Sequence, residues 1–245
     1  MGNIIEKIAF VNVPCSYDTN TDHLIFVPRE ELTFSMVQSY DIPVRHLHIN
    51  DKYPTLLMSH GNSEDIGECD LKDLSEAFGA NICVFDYAGY GLHTCRVSSE
   101  SHCQKDIVAV YSYLINTKKI NPEKIVIYGR SLGSGPACYL AHYVRNHHQR
   151  PQKLILVSPL SSAVSVVTDL WSPIDIFRNY QLAPQINCST LILHGDNDKV
   201  VPHSCGLDLS TRFQNLYKFH TLVGGGHNNF VISEYCNEIY KFLKL

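Results

Sequence analysis

No apolar run in this chain approaches the roughly 20 residues needed to cross a bilayer, so no membrane-spanning helix is expected. A surplus of positive charge is also missing. The formal net charge is -4, with Lys and Arg scattered rather than clustered, which leaves nothing to neutralise a phosphate backbone and argues against nucleic acid as a partner. Cysteine is not scarce, but paired cysteine is: the nine thiols are an odd number, and those at 69, 83, 95, 103 and 138 have no two-residue spacing of the kind zinc sites use. They read as small buried hydrophobes, and no metal is assigned. The opening MGNIIEKIAF has neither the basic start nor the apolar core of a secretory signal, so reduced thiols in a cytoplasmic compartment are expected. Gly2 resembles a myristoylation start, but Glu6 stands where that signal favours Ser or Thr, so an unmodified N-terminus is the expectation. Met1 to Lys7 contains no polybasic patch to help a lipid anchor.

What is present suits a folded body. Hydrophobic residues make up 44% of the chain and charged residues 18%, too apolar for disorder, and no long polar linker divides residues 1–245, so one domain is expected. From residue 55 onward short aliphatic runs alternate with amphipathic stretches, the pattern of βα units around a mostly parallel sheet with helices on both faces. The runs are 55–58, 82–85, 125–128, 154–157, 190–193 and 218–222, each nearly continuously apolar. Helical periodicity marks 70–78, 103–116, 132–148, 204–214 and 229–244, with Gly79 placed to stop the first. Residues 1–50 read as antiparallel edge material with strands at 24–27 and 44–48. Residues 158–189, which hold the single Trp, lack periodicity and are too long for a plain βα loop, so they are expected to form a small cap over a site.

The chemistry concentrates in three segments. Gly129-Arg130-Ser131-Leu132-Gly133 follows a strand and precedes a helical pattern, the context a G-x-S-x-G nucleophile elbow requires. Small residues at 129 and 133 let the chain turn sharply enough to lift the Ser131 hydroxyl above the sheet. A serine hydroxyl is a poor nucleophile near neutral pH and needs a base, itself oriented by a third group. Gly224-Gly225-Gly226-His227 follows the last strand and supplies His227 as that base. His194-Gly195-Asp196-Asn197-Asp198 begins at a strand end and supplies the acid; Asp198 is the choice from loop position, with Asp196 the competitor. The order Ser, Asp, His is that of α/β-hydrolases and not of chymotrypsin or subtilisin. The oxyanion of a tetrahedral intermediate needs backbone N–H donors, expected from Leu132, after the nucleophile, and from Asn62, after the strand at 55–58 where Gly61 permits a turn. His147-His148 reads as a solvated helix end. Arg130 could bind a substrate carboxylate or pair with Glu64 or Asp65, and the ion pair is the preferred reading.

Taken together these blocks resemble the lid-poor serine hydrolases of the abhydrolase-domain-containing 17 group. The resemblance is carried in order by His60-Gly61-Asn62, Asp86-Tyr87-Ala88-Gly89-Tyr90-Gly91, Tyr128 through Gly133, Ser158-Pro159-Leu160, Leu193-His194-Gly195 with Asp198, and Gly226-His227-Asn228. Lys7-Ile8-Ala9-Phe10 is similar to the family's start. The resemblance implies an α/β-hydrolase fold, no cofactor, and Asp198 rather than Asp196 as the acid. It also implies cleavage of acyl thioesters from protein cysteines at the cytosolic face of membranes, hence an acylated protein as substrate and a peripheral membrane contact. The family's acylated cysteine cluster has no counterpart here beyond Cys15.

Competing functions are a serine peptidase, a lipid esterase and an inactive interaction module. An aminopeptidase wants cap acids for a substrate ammonium, and 158–189 offers mainly Asp169 and Asp175. A lipase wants a larger apolar lid than Leu170, Trp171, Ile174, Ile176 and Phe177 provide. An inactive module would have lost one of Ser131, Asp198 or His227, and none is lost. An acyl esterase or thioesterase with a shallow open groove leads.

Overall fold

A computed structural model describes residues 6, 9–33, 36–94, 96–166 and 174–244, and for 31–33 and 36–39 the backbone alone. The chain enters the sheet through an antiparallel hairpin, β1 (Leu24–Thr33) and β2 (Met36–Leu47). Both strands run longer than the apolar runs at 24–27 and 44–48 predict. Ladder hydrogen bonds continue through polar residues such as Arg29 and Tyr40, where apolar periodicity gives no signal. Pro28 sits in β1, an edge strand, which tolerates the missing N–H.

The six runs after residue 55 all become strands: β3 (Thr55–Ser59), β4 (Asn81–Phe85), β5 (Ile125–Arg130), β6 (Lys153–Val157), β7 (Ser189–Gly195) and β8 (Leu216–Leu222). They pair in parallel, β2 meets β4 antiparallel, and the sheet order is β1-β2-β4-β3-β5-β6-β7-β8. The strands β3 to β7 are buried along nearly their whole length, which needs cover on both faces, whereas β8, at the sheet edge, is buried only at Leu222. On one face Leu57, Cys83, Ile127 and Leu156 share a core with Ile107 and Val110 of α2 (Glu100–Asn116) and Leu140 of α3 (Ser134–Tyr143). On the other face Leu56, Ile82, Val126 and Ile155 pack with Phe78 of α1 (Leu71–Phe78) and Ile239 and Phe242 of α6 (Ile232–Lys244). Each such aliphatic side chain removed from water contributes about 1.5–3 kcal/mol. The chain steps from β3 outward to β4 and then back across to β5, so connections leave the β3/β5 pair in opposite directions. The region beyond the carboxyl ends of the strands at such a switch is the usual ligand position in open α/β sheets.

Helix ends depart from the periodicity for local reasons. α2 begins at Glu100 because Ser99 caps it, its Oγ accepting the His102 N–H at 3.1 Å. The helix expected over 132–148 is a tight turn at Ser131–Gly133 followed by α3, which stops at Tyr143, with Arg145 donating to the freed His142 carbonyl at 2.7 Å. The stretch 204–214 is helical only as α5 (His203–Ser210), because residues 211 and 212 turn to bury Phe213. α6 starts at Ile232 rather than 229, since Gly226 N–H bonds to the Asn229 carbonyl within the preceding loop. Within 158–189 the described residues form two short 3-10 turns and a single-turn α4 (Asn179–Leu182); Asp169, Leu170 and Trp171 lie outside the described residues. Ile176 and Phe177 are buried, whereas Ile174 is half exposed.

Candidate active site

Ser131 stands at the carboxyl end of β5 with a positive φ of 51°, a conformation that costs a non-glycine residue about 1–3 kcal/mol and persists only where surroundings enforce it. The enforcement is steric. Gly133 lies so close to the neighbouring strand end that a Cβ there would sit 2.5 Å from the His60 carbonyl oxygen and closer still to that of Ser59. Ser134 Oγ–H then donates to the Ser131 carbonyl at 2.7 Å and fixes the turn.

The loops after β7 and β8 bring Asp198 and His227 to the same place. His227 Nδ1 is 2.7 Å from Asp198 Oδ2, and His227 Nε2 is 3.0 Å from Ser131 Oγ. Burial alone would raise the Asp198 pKa. Hydrogen bonds from His194, His227 and the Val200 and Val201 N–H groups outweigh it and hold the carboxyl well below the usual range. An ionised carboxylate only accepts, so Nδ1 of His227 is the donor; in the neutral ring Nε2 is then free to accept from the Ser131 hydroxyl. Asp196, the competing acid, is exposed and its Oδ1 takes the Gly224 N–H at 2.7 Å. Gly224, at φ 72°, is where the loop carrying His227 turns, so Asp196 ties that loop down rather than reaching the imidazole.

On the other flank, Leu132 lies in the first turn after Ser131, where backbone N–H groups have no partner within the helix. Asn62 follows β3, which pairs with β5 directly, Ser59 opposite Gly129. Its side chain is held at three points: Nδ2 donates to the Ala9 carbonyl at 2.8 Å, and Oδ1 accepts from Val11 N–H at 3.0 Å and Tyr90 OH at 2.6 Å. His60 is stacked on Tyr87, ring centroids 4.3 Å apart; burial would lower its pKa, but the Asp86 carboxylate at 3.4 Å raises it. Tyr87 and Tyr90 are fully buried.

Several contributors are not evident from the motifs. His194 Nε2 donates to the Val201 carbonyl at 3.0 Å and lies 3.3 Å from Asp198 Oδ2, backing that carboxylate from behind. Its place four residues before Asp198 is a usable signal. Arg130 pairs with Glu64 at 2.6 Å, as expected, and not with Asp65, which accepts from Ser16 and Gly67. Glu64 also takes the Gly61 N–H at 2.5 Å, and Arg130 reaches Asn228 Oδ1 at 2.6 Å. The guanidinium therefore spans from the loop after β3 to the loop carrying His227, a bridge no local pattern foretells. Among the described residues the cysteines are free thiols, and no group of three or more His, Cys, Asp or Glu is arranged to hold a metal ion.

No family profile matches the chain. It is 33% identical over 200 residues to the alpha/beta hydrolase domain-containing protein 17B of Homo sapiens, covering 79% of this chain and 67% of that protein. The chain belongs to the α/β-hydrolase family. This α/β-hydrolase is also 33% identical over 181 residues to the alpha/beta hydrolase domain-containing protein aho-3 of Caenorhabditis elegans, 71% of its own length and 52% of the nematode protein's. It thus spans about half the length of that relative. Est1E from Butyrivibrio proteoclasticus shares the fold with a TM-score of 0.68 over 91% of this chain and 98% of that one, at 15% identity.

Proposed function

We propose that this α/β-hydrolase is a serine hydrolase of acyl esters and thioesters, with Ser131 as nucleophile, His227 as general base, Asp198 as the orienting acid, and the Asn62 and Leu132 N–H groups as oxyanion donors. The observation that carries the reading is the unbroken hydrogen-bond chain from Ser131 Oγ through His227 to Asp198, at 3.0 and 2.7 Å, on a serine of positive φ. Ser131 Oγ attacks the acyl carbonyl carbon as its proton passes to His227 Nε2, and the electron pair moves onto the carbonyl oxygen between the two N–H donors. Collapse expels the alcohol or thiol, which leaves with the proton held by His227, and an acyl-Ser131 ester remains. Water then attacks that ester, giving its proton to the same imidazole; the bond from the acyl carbon to Ser131 Oγ breaks, Oγ takes that proton back from His227, and the carboxylic acid is released.

The resemblance to the abhydrolase-domain-containing 17 group extends this to S-acylated proteins, met at the cytosolic face of a membrane. Among the described residues no helix is long and apolar enough to cross a membrane. The peptidase alternative is weaker, because it needs several cap carboxylates for a substrate ammonium and Asp175 already accepts the Val164 N–H through Oδ1 at 2.9 Å. The test is Ser131→Ala: labelling by a fluorophosphonate and turnover of p-nitrophenyl butyrate should both vanish. Labelling that survives the substitution removes Ser131 from the role. A chain-length series of acyl thioesters, oxygen esters and aminoacyl amides then assigns the substrate class, and preference for amides promotes the peptidase.

A further inference from the structure

We propose that the segment before the sheet, residues 9–17, is a clamp that positions the oxyanion donor, acting through the Asn62 side chain; this rests on the serine-hydrolase reading above. The segment contributes no strand, yet its bonds go to the rim of the site. It is pinned at both ends. At the first end the Phe10 ring is buried edge-on against Phe177 and Tyr90, centroids 5.9 and 6.4 Å away. At the second end Ser16 bonds to Asp65 and the Tyr17 hydroxyl to Asp86, on the loops after β3 and β4. Between these anchors the chain runs exposed at residues 11, 12, 14 and 15.

What this strap holds is Asn62. The carboxamide uses one of its two N–H donors and both acceptor positions, on Ala9, Val11 and Tyr90. A planar amide held at three points is restrained about χ1 and χ2, which restrains the Asn62 Cα and, through it, the peptide N–H attached to it. Gly61, immediately before, is held independently through Glu64. A donor aimed at a developing oxyanion works only if it need not reorganise during the reaction, which is what this bracing supplies. Two of the three bonds come from backbone groups of a segment more than fifty residues away in sequence.

The clamp is tested with four single variants of the full chain: Asn62→Ala, Tyr90→Phe, Val11→Pro, which deletes one N–H donor, and Val11→Ala, which keeps it. The measurements are kcat and KM for p-nitrophenyl butyrate, and the inhibition constant of an alkyl trifluoromethyl ketone. That ketone adds Ser131 Oγ at its carbonyl carbon and places a hemiketal oxyanion where the intermediate's would lie. Asn62→Ala should lower kcat about tenfold or more, with KM within about twofold, and weaken the ketone by the same factor. Tyr90→Phe should lose several-fold, and Val11→Pro should lose several-fold relative to Val11→Ala. A packing role alone would lower thermal stability and leave kcat and ketone affinity in place; that result in Asn62→Ala overturns the clamp. Should Asn62→Ala fail to fold, Tyr90→Phe and the Val11 pair decide by the same criterion. A wild type that turns over ester through Ser131 but ignores these changes sinks the clamp alone. A wild type with no Ser131-dependent turnover or labelling sinks the underlying reading and the clamp with it.

Discussion

The two flanks of Ser131 are built by different means. On the β7/β8 flank the support of the Asp198 carboxylate is mostly local: the carboxylate is oriented by the N–H groups of Val200 and Val201, within three residues, and by His194, four residues back. The loop that carries His227 turns on its own glycine and is tied by Asp196 across adjacent strands. On the β3 flank almost nothing is local. Asn62 is held by Ala9, Val11 and Tyr90, while Glu64 is matched by Arg130, which also takes Asn228. The Asp198 carboxylate is thus held chiefly by groups close to it in sequence, and the Asn62 side chain wholly by groups far from it.

The comparison breaks most visibly at the acid. Asp198→Asn should lower ester turnover by about 10³–10⁴-fold, because the imidazole loses the carboxylate that fixes its tautomer. Asp196→Asn, which only loosens a loop, should cost less than about tenfold. The reverse ranking would transfer the role to Asp196. A smaller effect is expected where the two flanks meet. Arg130→Met should reduce kcat/KM about tenfold by releasing both loops from a common support. The Arg130–Glu64 pair is about a quarter exposed on each side, so its stability contribution should stay within about 1 kcal/mol. A urea midpoint that falls far while kcat/KM holds would make the pair structural only.

The smallest effect is in acid. Asp198 has a folded-state pKa below its unfolded value of about 3.9. Its contribution to stability is therefore present above about pH 4 and lost as the pH falls toward the folded-state value. Between about pH 4 and 2 the urea midpoint of the wild type should fall more steeply than that of Asp198→Asn. Equal slopes would mean the carboxylate gains nothing from its four donors.

How much of this was legible in advance depends on the range of the interaction. The buried parallel strands β3 to β7 were readable because burial on both faces forces nearly continuous apolar runs. The hairpin of β1 and β2 was readable only in its apolar parts, since Arg29 and Tyr40 sit in register through backbone bonds that leave no side-chain pattern. Helix starts and stops moved by several residues because caps such as Ser99 and carbonyl partners such as Arg145 override periodicity. The positions of Ser131, His227 and Asp198 were readable from glycine spacing and strand ends. Arg130's second partner and the embrace of Asn62 were not.

Composition and motif order by themselves determined that this chain makes a doubly covered, mostly parallel sheet, and which serine, histidine and aspartate would stand at its rim. Those outcomes depend on solvent exclusion and on backbone turns, which act over a few residues and so are written in consecutive ones. Only the tertiary structure decided that residues 9–17 cross the rim and that one guanidinium joins two loops. Such contacts depend on how finished elements pack, and neither partner's neighbours in sequence carry a trace of the other.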